Sequence, residues 1–443
     1  RSVNVPCRAV GRSAAAAISP ATRVLVLTSF QPLDEAALQA LLIQHDVLRA
    51  RFDRNGARFQ AQADAPLWLR ELSDREQLTE LATQAQRSLD LENGPLLRVV
   101  LANLPQGEQR LLLVIHHLVV DGVSWRILLE DLQAAYNVAA LPRKTSSFKQ
   151  WAARVQQHAA SPALDAQLAW WQAQLEGVSD ALPTDRADGS QQQCHARSVH
   201  SRLDRELTRQ LLQDAPAAYR TQINDLLLTA LARVVSRWTG RAETLVRLEG
   251  HGREALFDDL DITRTVGWFT SMFPVKLVPA ADLDASIKAI KEQLRAVPDK
   301  GLGYSMLRHL GSDAAQRSLA ELARGEIVFN YLGQFDAGVS DGLLLPATES
   351  TGEGVSPLAP LGSLLSIDGQ VSGGELSLGW TFSGEVFDTA TIQRLADDYA
   401  SELAQLIAHC VSAGAGGVTP SDFPLAGLSQ LQLDQFPLCL LYT

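Results

Sequence analysis

Residues 111–115 form an unbroken apolar run, Leu-Leu-Leu-Val-Ile, the pattern of a strand buried on both faces. Two adjacent histidines, His116 and His117, end the run, and Asp121-Gly122 makes a turn. Beyond the turn, Trp125, Leu128, Leu129, Leu132 and Tyr136 recur at helical spacing, with Asp121 or Ser124 available as N-cap. Strand, turn and helix in that order deliver the imidazoles to a place where a rigid strand empties into a loop.

The same reading predicts a strand over 23–28, a helix over 33–44 and a hairpin turn at Asn55-Gly56. A strand over 96–101 follows the turn Glu92-Asn-Gly-Pro95. Residues 147–176 read as helical, and the tryptophans there, Trp151, Trp170 and Trp171, read as packing residues. The strongest helical pattern spans 221–238, with Leu227, Leu231 and Val234 in register and Gly240 as its stop. A strand over 243–249 ends at Glu249 before two glycines. Residues 364–388 read as a hairpin around Gly373-Gly374, and 389–411 as a closing helix.

A chain of 443 residues implies two lobes of about 200 residues each. The boundaries read as an irregular segment 1–22, a first lobe 23–180, a linker 181–193 rich in Asp, Pro, Gly, Ser and Gln, a second lobe 194–412 and a tether 413–443. The start at Arg1 reads as a piece of a larger polypeptide or a processed end. Against 50 acidic residues stand 39 basic ones, with no basic block, which argues against a nucleic-acid partner. No run approaches the ~18 apolar residues of a membrane span. Cys7, Cys194, Cys410 and Cys439 are scattered without metal-ligand spacing, as in a reducing cytoplasm.

Neighbouring side chains on a strand point to opposite faces, so His116 and His117 take different jobs, one in the packed body and one in a cleft. That geometry also weakens a shared metal site. The bland alternative is a pair of core histidines satisfied by backbone. The Asp-Gly turn and helix that follow make it less attractive. Asp121, four residues after His117, is read as a buried salt bridge that holds the loop, and Gly122 as the source of backbone freedom for the turn. Asn330 and Tyr331 are neighbours on a strand pattern and face opposite ways. No Gly-x-Gly-x-x-Gly and no recognisable lysine context indicates a nucleotide, flavin or pyridoxal site.

His116-His117-Leu-Val-Val-Asp121-Gly122 resembles the His-His-x-x-x-Asp-Gly signature of the condensation superfamily of nonribosomal peptide synthetases. Val123-Ser-Trp125-Arg-Ile-Leu and Glu249-Gly-His-Gly-Arg-Glu254 resemble its epimerization domains in particular. Further blocks with Val266-Gly-Trp268-Phe, Gly301-Leu-Gly303-Tyr304 and Asn330-Tyr331-Leu-Gly333 are similar to that branch. Gln44-His45-Asp46 departs from the family's usual His-His-Asp, and residues 1–22 do not resemble its usual start.

The resemblance implies an α/β (α+β) fold of two chloramphenicol acetyltransferase-like lobes in a V-shaped pseudo-dimer, with an active-site tunnel between them. It implies His117, the second histidine, and Glu249 as the catalytic pair, with His116, Asp121, Gly122, Trp125, Asn330 and Tyr331 in supporting places. The substrate would be an aminoacyl or peptidyl thioester on the phosphopantetheine arm of a peptidyl carrier domain, beside neighbouring synthetase domains. The chain itself would need no cofactor and no metal. Inverting Cα needs a base, an acid and donors for an enolate oxygen, and a thioester eases the carbanion. Two other readings remain at this point: a condensing domain, opposed by Trp125 and Glu249, and an inactive carrier-docking module, opposed by intact His117, Asp121 and Glu249.

Overall fold

The computed structural model describes residues 22–29, 35–54, 56–61, 66–137, 139–334, 344–347, 349–352 and 354–435. The expectations for residues 1–21, Asn55 and the last eight positions of the tether lie outside these residues.

Why the apolar run is so pure follows from its place. The histidine strand Gln109–His116 lies at the centre of a five-stranded sheet, between Thr22–Ser29 and Leu97–Asn103 and antiparallel to both. Leu111, Leu113 and Ile115 pack with Leu38 and Leu128 from the helices Glu35–Gln44 and Gly122–Tyr136. Leu112 and Val114 face the other way, toward Leu78 and Ala82 of the helix Gln77–Arg87. Helices on both faces leave no solvent side, so no polar residue alternates into the run.

A second, six-stranded sheet orders Ala196–Leu203, Glu375–Ser383, Leu365–Ser372, Ile327–Gln334, Thr244–Gly250 and Ser271–Leu277. One of its faces carries Leu248, Phe329, Ile367, Trp380 and Val199 across five strands into a large core. The helices Ile223–Thr239 and Thr389–Val411 supply much of that core. The first stops at Gly240, whose φ of +69 suits a residue without Cβ. The second keeps the bounds its periodicity predicts.

The lobes exchange segments. Trp151 and Trp171, in the helices Phe148–Ala159 and Leu168–Leu175, are buried in the second lobe's core, against Phe257, Phe269 and Tyr304. These helices therefore pack with the second core, although the pattern groups them with the first lobe; amphipathicity says that a face is buried, not against what. Conversely, the strand Leu344–Pro346 joins the edge of the first sheet beside Thr22–Ser29. Glu349 follows it into a largely buried 2.8 Å ion pair with Arg110. Within the stretch expected as a tether, Thr419 and Leu433 are buried and Asp422 forms a 2.7 Å ion pair with the buried Lys291.

Candidate active site

The two histidines separate as strand alternation requires. His116 is 3% exposed, and its Nδ1 accepts the Leu118 N–H at 3.2 Å. Burial, reinforced by the neighbouring His117, pushes its pKa down to about 4, so it is neutral at pH 7. His117 opens the short turn His117–Val119 and is half-buried. Its ring centroid lies 4.7 Å from that of Trp268, with the planes 45° apart.

Asp121 is the N-cap of the helix Gly122–Tyr136 and is 4% exposed. One carboxylate oxygen accepts the Ser124 N–H at 2.7 Å and the other the Phe269 N–H at 3.1 Å. The Arg253 guanidinium donates to both, at 3.1 and 3.2 Å. Arg253 also donates to the Thr265 and Ile262 carbonyls and lies 4.0 Å over the Phe269 ring. Burial lowers its pKa from the usual guanidinium value while Asp121 opposes the shift. Gly122 takes no positive φ and a Cβ there would meet nothing within 4 Å, so it is an ordinary first helical residue and does not supply the backbone freedom expected of it.

Arg253, Trp268 and Phe269 all come from residues 251–270, the loop that leaves the second sheet after Gly250 and returns at Ser271. Ser124 Oγ donates to the Gly267 carbonyl at 2.9 Å, and the Gly267 N–H donates back at 3.1 Å. Val266 is buried in the first lobe's core. The loop is thus fastened across the lobes by main-chain and side-chain bonds at the foot of the histidine turn. Gly252 makes the path possible, since a Cβ there would sit 1.6 Å from the Phe269 carbonyl oxygen.

Glu249 is the penultimate residue of Thr244–Gly250 and is half-buried. Its carboxylate accepts the Asn330 side-chain amide N–H at 2.9 Å from the adjacent parallel strand. Tyr331 faces the other way and packs against the second core, where burial raises its phenol pKa. Trp125 packs on the first core. The structure therefore joins His117 to Asp121 through loop 251–270, and Glu249 to Asn330, while His116, Trp125 and Tyr331 serve packing.

A second contact ties the same loop to the same helix. Asp131, 1% exposed, takes His45 Nε2 at 2.8 Å and Arg264 Nη2 at 2.6 Å. Burial pushes this carboxyl up, but the His45 and Arg264 bonds and charges outweigh it and hold the pKa below the usual value. A cavity of about 460 Å³, lined in part by His45, Arg49, Lys144, Phe148 and Arg264, opens here. Sequence reasoning assigned a site role to none of Arg253, Trp268, Ser124 and Arg264. The first two stand inside motifs with a usable signal, an arginine after Gly-His-Gly and a tryptophan after Val266-Gly267. Ser124 was marked only as a possible cap, and Arg264 carries no such mark.

Among the described residues, no group of His, Cys, Asp and Glu is arranged to hold a metal ion, and no helix is long and apolar enough to cross a membrane. A family model described as "Condensation domain" matches residues 31–423. One component of the linear gramicidin synthase of Brevibacillus parabrevis is 43% identical over 441 residues, 93% of this chain and 6% of the relative. Another component of the same synthase is 44% identical over 425 residues, 90% of this chain and 8% of the relative. The chain spans less than a tenth of the length of either relative. Among solved structures, the epimerization domain from the third module of tyrocidine synthetase B is 37% identical with a TM-score of 0.82, covering 88% of this chain and 93% of that one. The condensation domain of the Monacolin K polyketide synthase, 18% identical with a TM-score of 0.74 over 92% of this chain and 97% of that one, shares the fold.

Proposed function

The chain belongs to the condensation-domain family, and on that premise we propose that it is an epimerase of nonribosomal peptide synthesis. It takes an aminoacyl or peptidyl thioester on the phosphopantetheine arm of a peptidyl carrier domain and interconverts L and D at Cα. The observation that carries this reading is Glu249, a half-buried carboxylate at a strand end, oriented by Asn330. A condensing reaction has no evident use for such an acid. The 37% identity to an epimerization domain supports the same choice.

In the proposed mechanism His117 and Glu249 stand on opposite sides of Cα. A neutral imidazole can take the proton, and a carboxyl group can return one to the other face. The thioester carbonyl spreads the charge of the carbanion between them. Asn330 holds the carboxylate through its amide N–H. Asp121 and Arg253 neutralise each other and act on the loop, not on the substrate.

The experiment loads a carrier with an L-aminoacyl group, adds the chain in deuterated water and analyses the released acid for chirality and label. Label and D-product without an acceptor support epimerization. An amide formed with a second loaded carrier, without α-label, replaces it by condensation. Carrier binding with neither product replaces it by a docking role.

A further inference from the structure

We propose that Trp268 is a positioning residue for His117, whose indole face stabilises the imidazolium formed when His117 holds the substrate proton. The inference rests on the reading of His117 as a base and adds a second-lobe residue to it. Trp268 is 39% exposed, yet the backbone on each side of it is fixed. Both polar groups of the Gly267 main chain bond to Ser124 Oγ, and the Phe269 N–H bonds to Asp121. Gly267 leaves no slack, because a Cβ there would lie 2.3 Å from the Phe148 ring. An exposed tryptophan on a loop is ordinarily mobile; here the cap of the helix Gly122–Tyr136 holds it against the imidazole.

Its chemistry suits that place. An indole carries negative potential on its face and attracts a cation centred within about 6 Å, while a neutral imidazole gains little. With 4.7 Å between centroids, His117 falls inside that range. The contact therefore favours the proton-holding state of the base, which a transition state for abstraction resembles. Charged groups on the elements that meet near His117 include His116 at the strand end, Asp121 at the helix cap and Arg253 on the loop. His116 stays neutral with a pKa of about 4, and Asp121 and Arg253 are paired with each other. The indole lies against His117 and interacts differently with its two protonation states.

The test pairs a titration with turnover. The ring C–H resonances of His117 are followed against pH in the full chain, in Trp268→Leu and in Trp268→Phe. The midpoint is expected to fall by about half a pH unit or more in Trp268→Leu and by less in Trp268→Phe, whose ring has a weaker face. On the loaded carrier, kcat for α-proton exchange falls by roughly 3- to 10-fold in Trp268→Leu with KM little changed. An unmoved midpoint in both folded variants overturns the proposal. So does a raised KM at unchanged kcat, which would make Trp268 a wall for substrate. The titration needs no turnover, so a wild-type chain without exchange sinks the epimerase reading separately from the Trp268–His117 contact.

Discussion

The helix Gly122–Tyr136 meets loop 251–270 twice, and the two meetings are built differently. At the N-cap, Asp121 takes two main-chain N–H groups as well as Arg253, and it lies four residues from His117. Ten residues on, or roughly 15 Å along the helix, Asp131 takes only side chains, His45 and Arg264, beside an open cavity. Both are buried acids paired with an arginine from the same loop. Yet the first fixes the backbone of the loop in register with the histidine turn, and the second anchors the loop by its side chains alone. A buried charge pair is weak evidence for stability in itself; what it is bonded to decides its job.

Asp121→Ala should break the near contact with the largest effect. It strips the partner from a buried Arg253 and leaves the Ser124 and Phe269 N–H groups without their acceptor, at a cost of about 3 kcal/mol or more. Because Trp268 loses its register over His117, exchange should fall together with the denaturation midpoint. Full stability with complete inactivity would instead give Asp121 a direct chemical role.

Glu249→Gln probes the chemistry that the near contact is said to serve. The amide keeps size and polarity and can still bond Asn330, so stability should hold. Inversion should fall by about 100-fold or more, the usual worth of an acid/base group. Slow deuterium wash-in to one enantiomer should persist, since His117 can return a proton to the face it came from. Inversion near the wild-type rate would remove Glu249 and leave a one-base scheme. Which enantiomer keeps the wash-in assigns the faces.

Much of this was legible beforehand. The strand–turn–helix around His117 has a one-sided signal: the purity of residues 111–115 requires cover on both faces, and two helical layers provide it. Asp121 was legible as a buried ion-pair partner and, with Ser124, as a candidate cap, and the structure makes Asp121 the cap. Trp151 and Trp171 were legible as packing residues but not as belonging to the second core, because periodicity carries no address. The crossing of Leu344–Pro346 into the first sheet escaped for the same reason. Arg264 looks on paper like any surface arginine, and its partner Asp131 like a solvated helix acid. Burial turns both into structural groups, and burial by distant segments is what a local pattern lacks.

Acid should separate the two ends. His116 beside the near contact has a folded pKa of about 4, below its unfolded 6.5, so the folded chain binds fewer protons between those values. Its contribution is intact above about pH 6.5 and drains away as pH falls toward 4, amounting to a loss of about 2 kcal/mol at pH 5. Asp131 at the far contact has a lowered pKa, so its contribution persists above the unfolded value of 3.8 and is lost only below it. Urea denaturation at pH 7 and pH 5 should show the drop in wild type and a smaller one in His116→Gln. Equal drops would mean that the folded His116 binds its proton as readily as the unfolded one or that other groups dominate this window.

The smallest expected effect comes from exchanging each arginine for lysine, and the contrast between the two sites matters more than either value. Arg253 donates to Asp121, Ser124 Oγ and two carbonyls while lying over Phe269, a geometry that a single ammonium cannot copy. Arg264 makes one bond to buried Asp131 and one to exposed Glu130, and its side chain is 30% exposed. A lysine there can keep the buried partner and forfeit the surface one, whose worth is at most about 1 kcal/mol. Arg264→Lys should therefore lower stability by roughly 0.5 to 1 kcal/mol and leave kcat within a few-fold of wild type. Arg253→Lys should cost more in both, because the carbonyls of Ile262 and Thr265 lose their donor in a buried place. Equal losses at the two sites would show that the loop responds to charge alone. The main-chain bonds at Asp121 would then not be what sets the near contact apart.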